Sequence, residues 1–350
     1  FLPPLRHLRH KGPVRLDWLG AFVVAVTFGS LQLLIELFPR YGVDTITIVL
    51  AVVAVSFAMT LWLWERRMKY PIIPVDMLMD RKLSALFAMS VLGGFALFSL
   101  VFYVPLLFQG GYAMSAHDSG MLITPLLLGT TIGSVVNNRI VTRIRRANGI
   151  MYVGFALSAL ACLGVIVLRG TEPHLVWMSC MGISGLGLGL VATSLTVCSQ
   201  QIVARDQIGA ATALLQSLRT FGGMLGTVMT GALLGHLYTQ GVHRSLASYQ
   251  ATQWFKSFAS PELLVDRAEQ AALINRLVSA GHAGDAMMNS ARDALVQSIH
   301  IGILVAGAAA LIGLCLAWFV PPVRISYSEA ELVVGGPAQA DAIPPRGNAL

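Results

Sequence analysis

Charge is what this sequence has least of. Of its 350 residues, 12% are Asp, Glu, Lys or Arg, against 55% hydrophobic. A soluble domain usually carries about 25% charged residues, so the composition, with a mean hydropathy of +0.70, predicts an all-α polytopic membrane protein. Acids are scarcest: 17 Asp and Glu stand against 24 Lys and Arg. In a soluble protein that excess would suggest a nucleic-acid partner. In a membrane chain it is the excess that the positive-inside rule places on the cytoplasmic face, so nucleic acid is set aside. Catalytic patterns are missing too: no HExxH, no Walker loop, no Ser/His/Asp order and no cluster with metal-ligand spacing. Neither an enzyme, a metal nor a cofactor is expected. The four cysteines, Cys162, Cys180, Cys198 and Cys315, lack CxxC spacing and fall within apolar runs, where cysteine packs as a small hydrophobe. The opening FLPPLRHLRHKGPVR has neither an initiator methionine nor a signal-peptide h-region, and reads as the interior of a longer protein.

What the chain has is apolar runs long enough to cross about 30 Å of hydrocarbon, which takes about 20 residues. Eight are expected: Asp17 to Phe38, Thr45 to Trp64, Ser84 to Phe108, Ser119 to Asn138, Gly149 to Leu168, Leu175 to Cys198, Gln207 to Leu237 and Ser298 to Val320. A basic segment, 1–16, precedes them. A charged linker, 65–83, follows the second, with a short surface helix expected at VDMLMDRK. A long polar loop at 238–297 separates the last two. Within it SPELLVDRAEQAALINRLVSAG reads as one amphipathic helix, with Ser260 as N-cap, Pro261 at N1 and Gly281 past the end. The tail, 321–350, is rich in Ala, Pro and Gly and is expected to be disordered. An even count puts both termini on one side. With that side cytoplasmic, 16 of the basic residues lie inside and 7 outside, five of those seven in the long loop.

The runs centre on Gly182 to Gly235, two apolar helices joined by the polar SQQIVARDQ. Glycines recur four apart, at 185 and 189, 222 and 226, and 231 and 235, which lines one helix face for close backbone approach. GLGLGL, Gly185 to Leu190, lies mid-run with no strand before it, so it is no phosphate loop. Arg219 stands among these glycines. An arginine at mid-bilayer costs about 2.5–3.5 kcal/mol on insertion scales, so it needs a reason.

Several stretches resemble the major facilitator superfamily, and within it the fourteen-span drug/proton antiporters of the EmrB/QacA type. DWLG with SLQLLIE (17–20 and 30–36) resembles the first of that family's two extra central spans. YVPLLFQ (103–109) is similar to its Tyr-x-Pro-x-x-x-Gln. SGMLITPLLLGTTIGS (119–134) and RDQIGAATALLQSLRTFGGMLGT (205–227) follow in the family's order. The resemblance implies two central linker spans (17–64) and a six-helix C-terminal transporter bundle (84–320). The loop at 238–297 would then be periplasmic, both termini of this chain cytoplasmic, and the first six spans absent. It also implies a proton-coupled secondary transporter in a bacterial inner membrane, exporting small hydrophobic or cationic compounds by alternating access. Export of a native metabolite or siderophore is the neighbouring reading; a transport-incompetent fragment or scaffold is the reading from another class. The partners implied are the small-molecule substrate, protons, the lipid bilayer, the missing N-terminal six-helix bundle and a periplasmic adaptor protein. The family's cytoplasmic loop motif survives at Gly133, Arg139, Arg143 and Arg146, but Thr142 stands where the family has its aspartate.

The candidate site residues follow. Arg219 and Glu36 are ionisable groups within spans, candidates for proton relay or charge balance. Gln32, Gln109 and Gln216 are polar residues in or near spans, candidates for a substrate cavity or for bonds between helices. Phe95, Phe98 and Phe102 lie three and four apart, the spacing of one helix face, and would suit flat, apolar cations, or else serve packing or face lipid.

Overall fold

Asp80 starts the main bundle. Its carboxylate accepts from the backbone amides of Lys82 and Leu83 at 2.8 and 3.1 Å, the capping role that frees a helix from its first orphan donors. The helix it caps is one of nine α-helices longer than ten residues among those that this computed structural model describes, residues 18–41, 44–65, 77, 79–144 and 147–320. The basic segment 1–16, most of the linker 65–83 with its expected surface helix, and the tail 321–350 lie outside the described residues.

In chain order the helices are α1 (Trp18–Tyr41), α2 (Thr45–Glu65), α3 (Arg81–Leu106), α4 (Ala116–Ile144), α5 (Ala147–Val167), α6 (His174–Ile202), α7 (Ile208–Ser248), α8 (Arg267–Ser279) and α9 (Gly284–Ala317). The described residues include no strand. The helix α3 ends in a π-turn, Leu107–Gly111, just past Pro105. Among the described residues six helices are long and apolar enough to cross a membrane, with spans at Thr45–Leu63, Arg81–Gly111, Ala116–Ile140, Gly149–Val167, His174–Ile202 and Gly284–Ala317. Eight were expected. The apolar stretch of α1 is the shorter Phe22–Leu34, and α7 is diluted by glycine, threonine and Arg219.

Backbone contact between glycines builds the bundle. α3 packs on α7, α4 and α5 on α6, and α9 on α5, α7 and α3; α1 packs on α2 and touches α7. The GLGLGL run shows how. A Cβ on Gly185 or Gly189 would strike the carbonyl oxygens of Leu126 and Thr130 on α4, while one on Gly187 would meet the carbonyl of Gly154 on α5 at 2.5 Å. Alternate glycines thus serve two neighbours from one helix. Ser90 Oγ donates to the Leu215 carbonyl at 2.8 Å, and Ser99 and Thr230 share a hydrogen bond at 3.1 Å, both between α3 and α7. Such bonds average about 0.6 kcal/mol in membranes, so close packing does most of the joining. Large apolar side chains cover the outside, Val167 at 77% and Val55 at 68% exposure among them, as lipid contact allows.

The polar stretch 238–297 is more helical than its composition suggested. α7 continues to Ser248 and α9 begins at Gly284, fourteen residues before the expected Ser298. Tyr238, Val242 and Leu246, four apart, are all buried against Met287, Met288, Ala291 and Leu295 in one apolar core. Sparse but periodic apolar residues are enough for a helix that packs on another. The expected helix over 260–281 divides in two. Ser260 does cap, with Pro261 at N1, but only a four-residue 3₁₀ turn; Asp266 then caps α8 anew, accepting from Ala268 and Glu269. Gly281 follows α8 at φ +80°, a left-handed position that favours glycine. At the other end, the basic stretch expected as a loop, 139–148, is largely helical, since α4 runs to Ile144 and α5 starts at Ala147.

Candidate functional site

Arg219 sits about three turns into α7, on a face turned toward the middle of α4 and α6. There α3, α4, α6 and α7 enclose a groove of about 470 Å³. Ser90, Gly93 and Phe98 come from α3, Thr130, Thr131 and Ser134 from α4, Val191 and Leu195 from α6, and Gln216, Arg219 and Thr220 from α7. Two adjacent glycines on α3 make this geometry possible. A Cβ on Gly94 would run into the carbonyl of Arg219, so α7 approaches α3 only because Gly94 has none. A Cβ on Gly93 would meet nothing closer than Val191 Cγ1 at 3.8 Å, so that residue leaves space in the groove.

The guanidinium is half-buried. Its Nη2 donates to Gln216 Oε1 at 2.6 Å, one helical turn earlier. No described carboxylate forms an ion pair with it, and none lines the groove. The hydroxyls around it are already committed as donors. Ser90 donates to Leu215, Thr130 to Leu127, Ser134 to Thr130 and Thr220 to Gln216, all backbone carbonyls. A second, smaller groove of about 210 Å³ lies on the other side of Gln216 and Thr220, walled by Phe28 and Gln32 of α1 and by Phe221 and Met224 of α7. Gln216 therefore faces both spaces. A third hollow, about 470 Å³ between α5 and α6, is lined almost wholly by apolar side chains such as Leu160, Leu163 and Val167, which are exposed on the outer surface.

The structure thus gathers Arg219, Gln216 and Phe98 at one groove and Gln32 at the adjoining one. It separates the others. Phe95 is buried in the contact with α7, where a Cβ on Gly226 would meet its carbonyl. Phe102 is 56% exposed and stacks on Phe98 at 6.2 Å between centroids. Gln109 lies in the π-turn at the far end of α3 and donates to Ser119 Oγ at 3.3 Å, tying α3 to α4. Glu36 is in α1, its side chain outside the described residues. Of the loop motif, Gly133 packs under α6, where a Cβ would meet the Leu186 carbonyl at 2.5 Å. Arg139 and Arg143 lie on the last turns of α4. Arg146 is outside the described residues. Asn137, next to that motif, accepts from Ser194 Oγ at 3.2 Å and bridges α4 to α6.

Reading the sequence missed the hydroxyls of Ser90, Thr130, Thr131, Ser134 and Thr220. Their four-apart pairs, Thr130 with Ser134 and Gln216 with Thr220, are the only signal, and it is weak because such residues back-bond within any helix. Outside the spans, Tyr112 follows the π-turn and donates to the Leu168 carbonyl at 3.3 Å. Burial raises the pKa of its phenol above the ordinary tyrosine value.

Comparison with known proteins places this geometry among relatives. A family model described as the Major Facilitator Superfamily matches residues 18–227. The chain is 26% identical over 344 residues to the multidrug transporter protein MdtP of Bacillus subtilis, covering 93% of this chain and 62% of that protein. It is 24% identical over 288 residues to multidrug resistance protein 3 of the same organism, covering 79% and 55% respectively. The chain therefore spans roughly three-fifths of the length of these relatives. Among solved structures it is similar to a bacterial homologue of the human lysosomal transporter Spinster, inward-facing and unoccupied. The TM-score is 0.49 and the identity 17%, over 87% of this chain and 70% of that one.

Proposed function

The chain belongs to the Major Facilitator Superfamily, a family of membrane transporters rather than enzymes, and from that premise we propose that it forms the C-terminal part of a proton-coupled exporter of small, largely apolar compounds. In this reading α1 and α2 are the two central linker spans. The helices α3 to α7 and α9 are the C-terminal bundle, so the chain crosses an inner membrane eight times, with its termini cytoplasmic. The relatives are longer than this chain, and the proposal assigns the remaining length to a six-span bundle facing the groove. The reading is supported above all by Arg219. A cation half-buried on a helix among apolar spans is a functional candidate by default, and this one borders a groove of about 470 Å³, within the usual 300–1,000 Å³ of small-molecule sites. Substrate would bind between the two bundles and cross as they rock about it.

The test is transport. In everted vesicles holding the whole protein, a proton gradient should drive uptake of a fluorescent dye. Arg219→Ala is expected to abolish that uptake while expression and membrane insertion stay at the level of the unsubstituted protein. Undiminished uptake in the variant would remove Arg219 from the transport site, and uptake indifferent to collapse of the gradient would remove proton coupling.

A further inference from the structure

The groove beside Arg219 has a charge preference that the likeness to drug exporters does not supply. Among the described residues its lining holds one ionised group, the Arg219 guanidinium, and no carboxylate. That guanidinium carries five N–H donors, of which the structure engages Nη2 with Gln216 Oε1 at 2.6 Å. The surrounding hydroxyls offer little competition as donors. A serine or threonine has a single proton to give, and those of Ser90, Thr130, Ser134 and Thr220 go to backbone carbonyls. Donor capacity in the groove therefore concentrates on the Arg219 guanidinium and the Gln216 amide beside it, of which only the guanidinium is charged. Beside it lies an apolar wall that includes Phe98, Leu97 and Val191.

We infer that this half of the site receives the anionic or acceptor-bearing end of its ligand: an organic acid with a flat apolar body and a carboxylate or similar group turned to Arg219. The inference rests on reading this groove as the substrate site. A carboxylate matches the guanidinium fork with two parallel hydrogen bonds. An ammonium in the same place meets a like charge and finds no acid on the described walls to offset it. The aromatic and aliphatic wall holds the body of either ligand equally well, so the charged end decides between them. The expectation of cationic substrates, drawn from the phenylalanine spacing, is replaced here by an expectation of organic anions.

Three probes of one shape test this: naphthalene-2-carboxylate, naphthalene-2-carboxamide and 2-naphthylmethylammonium. Their affinities are measured by equilibrium dialysis against the purified protein in zwitterionic nanodiscs. The carboxylate is expected to bind about tenfold or more tighter than the ammonium, the scale of charge-assisted hydrogen bonds. Arg219→Gln should bring the carboxylate down to the level of the carboxamide and leave the carboxamide within about threefold, since a neutral amide depends less on the cation. Arg219→Lys should recover part of the carboxylate affinity. The preference of the unsubstituted protein is itself a test, independent of how well the variants fold. Tightest binding of the ammonium, or carboxylate binding indifferent to Arg219→Gln, overturns the inference and leaves the groove a ligand site. Failure of all three probes overturns the inference together with the assignment of the groove.

Discussion

Gly93 and Gly94 are neighbours with opposite duties. Gly94 is where α7 touches α3, at the carbonyl of Arg219, and Gly93 is where the groove stays open. Gly94→Ala should force the helices apart, at a cost of about 1–3 kcal/mol typical of overpacking, seen as a lower thermal midpoint of the detergent-solubilised protein. Gly93→Leu should keep the midpoint near that of the parent and cut dye uptake several-fold by filling the groove. Equal effects of the two on stability would contradict this division. Arg219 was legible in the sequence because a charge in an apolar run is conspicuous, and Gln216 three residues earlier was within its reach by helical spacing. The division between the glycines was not legible, since both are one residue type and only the partner helix tells them apart. The phenylalanine spacing puts all three residues on one broad face of α3. However, α3 is packed on more than one side, so Phe95 went to the α7 contact, Phe98 to the groove and Phe102 to the exterior. Gln109 takes the second of the two roles open to it: in the π-turn at the end of α3 it bonds to Ser119 and ties α3 to α4.

Two helices outgrow the membrane. α7 has 41 residues and α9 has 34, about 60 and 50 Å at 1.5 Å per residue, against about 30 Å of hydrocarbon. Their extensions carry the short helices of 249–283, and the apolar core runs unbroken from Leu107 and Phe108 into Phe258, Leu263 and Leu264. Hydropathy could not show this, because apolar residues there recur only every third or fourth position among polar ones. Helix caps were partly legible: Ser260 and Pro261 acted as expected, but Asp266, inside the same stretch, caps better placed amides and restarts the helix. For the proposed adaptor the place to test is the exposed face of this cap, since removing the whole stretch would open the core. Leu264→Asp, which buries a charge, should deplete folded protein in a size-exclusion assay. Arg276→Glu, on the exposed side, should leave stability within about 0.5 kcal/mol, as surface changes usually do. If efflux in cells depends on an adaptor bound here, Arg276→Glu would lower efflux in cells without changing uptake by isolated vesicles. Tolerance of Leu264→Asp would mean that the cap is not part of the folding unit.

At the scale of the whole molecule, the features that make the site also hide it. α7 fails as a hydrophobic span by composition because it is rich in glycine and threonine and holds Arg219, and these are the residues that bring α3 close and line the groove. The helices α3 to α7 and α9 pack together as one bundle, while the number of crossings rests on α1 and α7, the two helices whose apolar runs are weakest. The central claim is that the groove at Arg219 opens to alternate sides of the membrane during transport. Thr220 faces both grooves beside Gln216, which makes Thr220→Cys, with Cys162, Cys180, Cys198 and Cys315 replaced by alanine, the most direct reporter. Alkylation by a membrane-impermeant maleimide is measured in everted vesicles, with and without a proton gradient and with and without transported dye. The account predicts that the gradient changes the labelling rate several-fold and that dye protects the cysteine; a rate unaffected by either would contradict it.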